Sequence, residues 1–286
     1  MISKLTWDQI QLQSDIILSD GINKLKSTQL LNSKEIKNEK YCGNYLLTLN
    51  NEPYYIGEGK ELSKRLKQQF NPKTSTFYKN FQKLYAINQS NISIDTFKIQ
   101  FIPTNIGRKE IEEFGIVNLS TKLNKFELDK RSRFIIQDQK GIWDCVQNNY
   151  LELLQDAENK IMKLNFVPWH DFICEKTAGV YIVKDKSDNI IYIGESSNLE
   201  ERIFVHANRT YFSALRRHIG TDLLGYSLLE LKGKKRYFSP FEDDKITEFL
   251  NSCRAIALPI SFGRFELEEY LIRKYRPLLN RKDNKE

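Results

Sequence analysis

An internal repeat constrains the fold of this chain more than any other feature of its sequence. Trp7-Asp8 recurs as Trp143-Asp144 at an offset of 136 residues, and Tyr55-Ile56-Gly57 recurs as Tyr192-Ile193-Gly194 at an offset of 137. Further pairs keep the same order, which predicts two copies of one structural unit. These pairs are Asn23-Lys24 with Asn159-Lys160, Gly43-Asn44-Tyr45 with Gly179-Val180-Tyr181, Arg65 with Arg202, Glu112 with Glu268, and Asn124 with Asn280.

The offsets also predict where the copies divide and differ. The last two pairs are 156 residues apart, so the second copy contains 19 additional residues (156 − 137). We expect one module at residues 1–130 and a second at 137–286, divided near the charged stretch 129–133. The additional residues should form an insert near 219–263.

Composition excludes several classes of protein. The 286 residues are 40% hydrophobic, enough for packed cores, yet no run of about 18 apolar residues could cross a membrane. The first twenty residues lack the apolar core of a secretion signal. The four cysteines form no Cys-x-x-Cys pair and only three histidines occur, which disfavours a structural zinc site. These features predict a cytoplasmic protein.

The positive charge of the chain lies in its first half. Residues 1–136 contain 21 Lys and Arg against 14 Asp and Glu, whereas residues 137–286 contain 23 of each kind, so the first half holds the whole net charge of +7. A basic surface favours a polyanion such as nucleic acid.

Hydrophobic periodicity predicts the same elements in both modules. Each begins with a helix, followed by a β-hairpin, a helix, a second short helix and a closing helix. The predicted fold class is α/β (α+β), a tandem repeat of two small modules, each with a short, mostly antiparallel sheet flanked by helices. The helices are expected at 7–25, 77–85 and 109–118 in the first module and at 143–164, 211–218 and 264–275 in the second, with a first-module strand at 92–102.

The repeated residues resemble the motifs of the GIY-YIG nuclease family. Gly179-Val-Tyr, Tyr192-Ile-Gly, Arg202 eight residues after Gly194, and Glu268 twelve residues before Asn280 match its pattern. The first module matches with two departures, Asn44 at a usually apolar position and Thr121 where the second module has Pro277. The resemblance implies phosphodiester hydrolysis assisted by one divalent ion, Mg²⁺ or Mn²⁺.

Site residues carried over from the family suit this chemistry. An arginine supplies charge-assisted hydrogen bonds to an anionic transition state, a carboxylate binds a hard cation, and a tyrosine hydroxyl orients or deprotonates water. His206, one turn after Arg202, implies proton transfer, whereas the first module has Gln69 there. The implied catalytic set is Tyr181, Tyr192, Arg202, His206 and Glu268, with Tyr45, Tyr55, Arg65 and Glu112 in the first module. Glu268 and Glu112 are the expected metal ligands, and Asn280 and Asn124 are expected to position the site.

Basic residues around the proposed sites predict contacts with DNA phosphates. In the first module lysines interleave with Phe70, Phe77 and Tyr78, and arginines occupy the matching region of the second. The expected DNA-binding residues are Lys60, Lys64, Lys67, Lys79, Arg209, Arg216 and Arg217.

Three functions remain open on the sequence alone. The leading one is a restriction or defence endonuclease whose two modules cut both strands of duplex DNA, as a monomer with an internal pseudo-twofold. The second is a single-site nickase or repair-type nuclease with the first module as a DNA-binding platform. The third is a non-catalytic nucleic-acid-binding protein. Cleavage by variants of Glu112 and Glu268 discriminates among them.

Overall fold

The computed structural model describes residues 5–35, 40–87, 93–125, 131–137, 140–231 and 233–281. The chain forms two compact units, Met1–Leu153 and Leu154–Glu286. The boundary therefore lies after the predicted division near 129–133, part of which lies outside the described residues. Ile142–Asn148 belongs with the first unit because it packs on the helix Ser14–Ser27, where the Asp20 carboxylate accepts a hydrogen bond from the Trp143 amide at 2.8 Å.

The first unit is a mixed α/β fold around a three-stranded sheet. Its order is β2-β1-β3, and both strand pairs are antiparallel. The predicted leading helix is interrupted at Gln13, and the predicted strand at 92–102 begins only at Lys98. The elements are α1 (Trp7–Leu12), α2 (Ser14–Ser27), β1 (Gly43–Leu49), β2 (Glu52–Gly59), α3 (Leu62–Gln69), α4 (Thr76–Ile87), β3 (Lys98–Pro103), α5 (Arg108–Asn118) and α6 (Ile142–Asn148).

The second unit has an antiparallel sheet of order β4-β9-β5-β6 and a separate hairpin, β7-β8. The leading helix of the second module was predicted as one helix over 143–164, and it is likewise interrupted, at Asn149. The closing helix ends at Tyr275, two residues before Pro277. The elements are α7 (Tyr150–Ile161), β4 (Val167–Pro168), β5 (Gly179–Lys184), β6 (Ile190–Ser196), α8 (Leu199–Asn208), α9 (Ala214–His218), β7 (Leu229–Leu231), β8 (Lys234–Tyr237), α10 (Pro240–Asn251), β9 (Arg254–Pro259) and α11 (Arg264–Tyr275).

The first hairpin has the same strand register in both units. Tyr45 lies opposite Gly57 in the first unit, and Tyr181 lies opposite Gly194 in the second. An irregularity follows Leu47 in one hairpin and Val183 in the other. Each central strand pairs on its other side with a later strand, and both of these pairings start from the hairpin's first glycine. Equivalent side chains therefore point to the same face of each sheet.

The tight turn of the first hairpin follows from its sequence. Asn50 and Asn51 connect β1 to β2 and have φ angles of 52° and 62°. Two consecutive left-handed residues are the conformation of a type I′ turn, which asparagine tolerates better than most residues. The turn fixes which residues of β2 face Tyr45 of β1.

The additional residues of the second unit occupy a shorter range than 219–263. A π-helical turn at Ile219–Leu223 leads into β7, β8 and α10. The following strand, β9, pairs with β5 as β3 pairs with β1, so the last part of the predicted insert is sheet core. The structural addition therefore lies between α9 and β9.

Within the described residues, no helix is both long and apolar enough to cross a lipid bilayer. The four cysteines are free thiols.

Candidate active site

The hairpin of the second unit brings two tyrosines together. Tyr181 of β5 is buried and Tyr192 of β6 is half-buried, with ring centroids 6.1 Å apart. Gly194 lies beneath Tyr181, where a Cβ atom would approach the tyrosine hydroxyl to 2.3 Å. The glycine of the Tyr-Ile-Gly motif is thus required by the close approach of the tyrosine ring.

The Tyr181 hydroxyl is the start of a buried hydrogen-bond chain. It lies 2.6 Å from Nε2 of His206, and Nδ1 of that histidine lies 2.7 Å from Oγ of Ser213. Burial, and after it the charges of Arg202, Arg216 and Arg217, lower the pKa of His206 to about 3. The imidazole is therefore neutral at physiological pH, and one ring nitrogen is a hydrogen-bond acceptor.

Both tyrosines are protonated in the resting site. Burial and the Glu268 carboxylate raise the pKa of Tyr192 to about 12 although Arg202 opposes the shift. Burial also raises the pKa of Tyr181. A tyrosinate would thus require additional positive charge near Glu268.

Glu268 is positioned by two neighbouring groups. Its Oε1 accepts a hydrogen bond from the backbone amide of Glu195 at 3.0 Å. The side chain of Glu195 in turn accepts from Nε of the buried Arg264 at 2.9 Å. Arg264 is the first residue of α11, and Gly263 before it has a φ angle of 89°. A left-handed turn and a buried ion pair thus fix where the carboxylate points.

Asn280 fixes the outer edge of β6. Its Oδ1 accepts from the Ile193 amide at 2.9 Å, and its Nδ2 donates to the Ile193 carbonyl at 2.7 Å. The Leu279 amide donates to the Ile191 carbonyl, and His218 lies 2.7 Å from the Leu279 carbonyl. Because β6 is an edge strand, these contacts replace a missing neighbour strand and hold Tyr192 in place.

The first unit repeats most of this arrangement. Tyr45 and Tyr55 have ring centroids 6.2 Å apart, and Asn124 makes the same two hydrogen bonds to Ile56, at 3.0 and 2.9 Å. The Leu123 amide donates to the carbonyl of the residue before Tyr55. Arg65, Gln69 and Ser75 line a cavity of about 680 Å³ beside Tyr55.

Two substitutions change the chemistry of the first site. The Gln69 amide lies 2.7 Å from the Tyr45 hydroxyl and 3.2 Å from Ser75. With its oxygen toward Tyr45, it also accepts from Arg65 at 3.1 Å. Glu112 forms an ion pair with Lys109 Nζ at 2.7 Å, whereas the second unit has a phenylalanine 156 residues later. A glutamine keeps the hydrogen bonds without titrating, and an ammonium group competes with a metal ion for the carboxylate.

Four predicted DNA-binding lysines lie on the surface of the first unit. Lys60, Lys64, Lys67 and Lys79 are exposed, and Lys64 and Lys67 line an open groove of about 480 Å³ with Glu61. Arg209 is exposed in the second unit and stacks on the Phe204 ring at 5.1 Å. These positions are accessible to a phosphate backbone.

The prediction that Arg216 contacts DNA phosphates is wrong, because the structure buries its side chain. Its side chain is 1% exposed, and its Nη2 forms an ion pair with Asp243 at 3.0 Å. It also donates to Thr210 at 2.7 Å, to the Ala207 carbonyl at 2.9 Å and to Thr247 at 2.9 Å. Arg216 therefore anchors α10 to the helix that carries His206. A buried arginine with this many partners cannot reach DNA without unfolding its surroundings.

Arg217 lies between the site and the surface. Its Nη1 donates to the carbonyls of Thr210 and Tyr211, at 3.0 and 2.6 Å. Its charge also lowers the pKa of Tyr192 and of His206. The half-buried Arg217 therefore acts electrostatically on Tyr192, and part of its side chain remains at the surface.

Sequence reasoning missed three features of the sites. Ser213 completes the His206 chain, but a lone serine in a loop gives no signal. The Arg264–Glu195 pair has a counterpart in Arg108 and Glu58, 3.8 Å apart. The dipeptide Gly107-Arg108 recurs as Gly263-Arg264 at the offset of 156. A search restricted to that offset would therefore have found the two buried arginines.

The donor set of the second site fits a hard divalent ion. Within the described residues, no group of three or more His, Cys, Asp or Glu could enclose a metal. Glu268 offers one positioned carboxylate beside two tyrosines and Arg202. Mg²⁺ and Mn²⁺ suit such a site, because Mg²⁺ commonly takes one or two carboxylates and fills its remaining positions with water and phosphate.

Comparison with known proteins agrees with this geometry for the second unit. Curated proteins and solved structures gave no match. The sequence model of one family does match, and it supports a nuclease in general terms. Residues 170–286, which hold all five site residues of the second unit, match the family described as the GIY-YIG catalytic domain.

Proposed function

We propose that this chain is a divalent-metal-dependent DNA endonuclease whose cleavage occurs at the second unit. The buried chain Tyr181–His206–Ser213, next to Arg202 and Glu268, is the observation that carries the proposal. The site combines His206 as a proton acceptor, Arg202 as a permanent cation and Glu268 as a metal-binding carboxylate, as hydrolysis of a phosphodiester requires.

Each residue has a separate role in the proposed reaction. Glu268 would hold a divalent ion, which would supply Lewis-acid charge at the scissile phosphate when bound. Arg202 donates hydrogen bonds to the phosphate oxygens as negative charge develops on them. Tyr192 is the more exposed tyrosine, so its hydroxyl orients the attacking water. As the water attacks, its proton would pass to the Tyr192 hydroxyl, that of Tyr192 to Tyr181, and that of Tyr181 to Nε2 of His206, so that the histidine ends protonated and both tyrosines stay neutral.

We propose that the first unit is a second module of the same type that binds DNA and has an impaired site. The repeated hairpin register, tyrosine pair and asparagine contacts support common architecture. The Gln69 amide and the Lys109–Glu112 ion pair support weaker chemistry. The excess positive charge of the first half suits a DNA-binding platform.

A second candidate is a pseudo-dimeric restriction or defence nuclease in which both sites cut. The intact cavity beside Tyr55, Arg65 and Gln69 favours it, because its volume of about 680 Å³ admits a nucleotide-sized group. In that case water would replace the histidine as proton acceptor in the first unit. Cutting of both strands would favour the restriction or defence role, and cutting of one strand would favour a nicking enzyme.

Plasmid cleavage with Mg²⁺ tests the proposal and separates the candidates. Glu268→Gln should reduce cleavage at least about 100-fold while leaving DNA binding in EDTA unchanged, because loss of metal-site groups has effects of this order. Glu269→Gln is the matched control, one residue away on the same helix. If Glu268→Gln cleaves at the wild-type rate, the site assignment is wrong.

The corresponding first-unit variant distinguishes one active site from two. Under our proposal, Glu112→Gln cleaves as the wild type does, and the wild type accumulates nicked circles before linear DNA. In a two-site enzyme, Glu112→Gln would instead stop at the nicked circle, and the wild type would linearise plasmid within one binding event.

A further inference from the structure

The hairpin β7–β8 of the second unit presents cations on an aromatic surface beside the candidate site. Lys234 and Arg236 are exposed on β8. Lys234 Nζ lies 6.0 Å and the Arg236 guanidinium 5.3 Å from the centre of the Tyr211 ring. Tyr211 also packs on Tyr237, with ring centroids 5.2 Å apart. Both cations are therefore held over one ring before any ligand binds.

The same surface is continuous with the catalytic residues. Tyr211 and Phe212 follow α8, the helix that carries Arg202 and His206. Arg217 donates to the Tyr211 carbonyl and acts electrostatically on Tyr192 at one side and on Arg236 at the other. Arg217, Arg236 and Lys234 thus form a row of cations around Tyr211.

Among the described residues, the arginines of this row repel one another without a carboxylate between them. Burial lowers the pKa of Arg217, and the neighbouring charge of Arg236 lowers it further. In the part of the chain that the structure describes, the ion pairs of Asp243 and Asp222 are made with Arg216 and Arg281, and no carboxylate pairs with Arg217 or Arg236. Like charges held close together are stabilised when an anion lies between them.

We propose that hairpin β7–β8, together with Tyr211 and Arg217, binds the phosphate backbone of duplex DNA next to the scissile phosphate. The proposal rests on the proposed function for the position of the scissile bond. The ring contacts pre-order Lys234 and Arg236, so less side-chain entropy is lost when they bind phosphate. The first unit has no counterpart of this hairpin among its described elements, because the hairpin lies in the residues added to the second copy.

The test measures DNA binding separately from cleavage. The double variant Lys234→Ala/Arg236→Ala is compared with Lys163→Ala/Lys186→Ala, which removes two exposed charges elsewhere on the second unit. Anisotropy of a labelled duplex in EDTA gives Kd over a range of salt concentrations. Thermal melting checks that all proteins are folded.

We expect the hairpin variant to bind about 10-fold more weakly near 0.15 M salt. The slope of log K against log salt should fall by about 1.8, which corresponds to two lost phosphate contacts at about 0.9 each for B-form DNA. Cleavage at subsaturating DNA should fall by about the same factor as the affinity. The control variant should keep both Kd and slope.

Three results would overturn the inference. They are an unchanged salt slope in the hairpin variant, an equal loss in the control, or a wild-type protein that does not bind duplex. Failure of the proposed function has a different signature, namely wild-type protein that binds duplex through the hairpin and cleaves no DNA with Mg²⁺.

Discussion

Replacing His206 by glutamine transfers the arrangement of the first unit into the second. Gln69 occupies the equivalent position and keeps a 2.7 Å contact with its tyrosine and a 3.2 Å contact with its serine. His206→Gln should therefore keep the hydrogen bonds to Tyr181 and Ser213 and remain folded. What it removes is the ability to accept a proton.

We expect His206→Gln to lower kcat, because proton transfer by a positioned side chain contributes to the rate. A positioned acid or base contributes about 100- to 10,000-fold to rate, so kcat should fall by that amount, or about 3–5 kcal/mol in activation free energy. The duplex Kd in EDTA should not change, because the imidazole is fully buried behind Tyr181. Single-turnover cleavage of a labelled duplex measures kcat without interference from product release.

The same substitution makes a prediction that does not depend on activity. With its pKa lowered to about 3, His206 takes up its proton only on unfolding between about pH 6.5 and 3. Wild-type stability should therefore fall below pH 6.5 by about 1.4 kcal/mol per pH unit, or about 2 kcal/mol at pH 5 from this residue alone. His206→Gln should lack this part of the acid sensitivity, whereas the exposed control His170→Gln should keep it.

Urea unfolding at pH 7 and pH 5, followed by circular dichroism, measures this difference. If His206→Gln cleaves within about threefold of the wild type, the histidine only orients Tyr181 and the proton follows another path. Equal acid sensitivity in His206→Gln and the wild type would contradict the burial of a neutral imidazole. Either result refutes part of the reasoning, and the two are independent.

Other substitutions test how the scaffold holds the site. Asn280→Ala leaves the buried Ile193 amide and carbonyl unpaired, so we expect a loss of about 2–6 kcal/mol in the free energy of unfolding by urea titration, from two groups at about 1–3 kcal/mol each. Gly194→Ala places a methyl group against the Tyr181 hydroxyl, which should destabilise the fold by about 1–3 kcal/mol and abolish cleavage of plasmid. Glu158 is 7% exposed, and hydrogen bonds from a lysine and two tyrosines of the closing helix region lower its pKa although burial acts to raise it. Its contribution is thus present above pH about 4.5 and lost at lower pH, so Glu158→Gln should lower stability at pH 7 by about 2 kcal/mol and flatten the acid limb of a stability profile.

The sequence predicted the elements that local patterns determine. The closing helices were predicted within one residue of their starts, since a left-handed glycine and an apolar period mark both. The hairpins were predicted because short apolar runs flank asparagine-rich and aspartate-rich turns. The leading helices were predicted as continuous, and the break at Gln13 in the first carries no glycine or proline to signal it.

Long-range contacts could not be read from the sequence. Arg216 resembles its neighbours in a basic run, yet its partner Asp243 lies in the added helix α10. The strand β9 was hidden in the predicted insert, because its sequence has no motif in common with β3 beyond a proline at the same register position. The burial of Arg216 and the pairing of β9 with β5 both depend on residues that come together only in the assembled fold.

The two units separate what the fold requires from what the chemistry requires. Where the backbone conformation or a close approach depends on a residue, both copies keep it: the glycine under the tyrosine, the asparagine at the strand edge and the glycine before the closing helix. The copies differ where a change preserves packing but alters charge or titration. Gln69 still fills the position of His206, and Lys109 stands where the second unit has Phe265 and forms an ion pair with Glu112. Selection for a stable scaffold alone would account for the first unit, whereas the second also keeps a buried neutral histidine, which costs stability in acid and which the proposed proton transfer would explain.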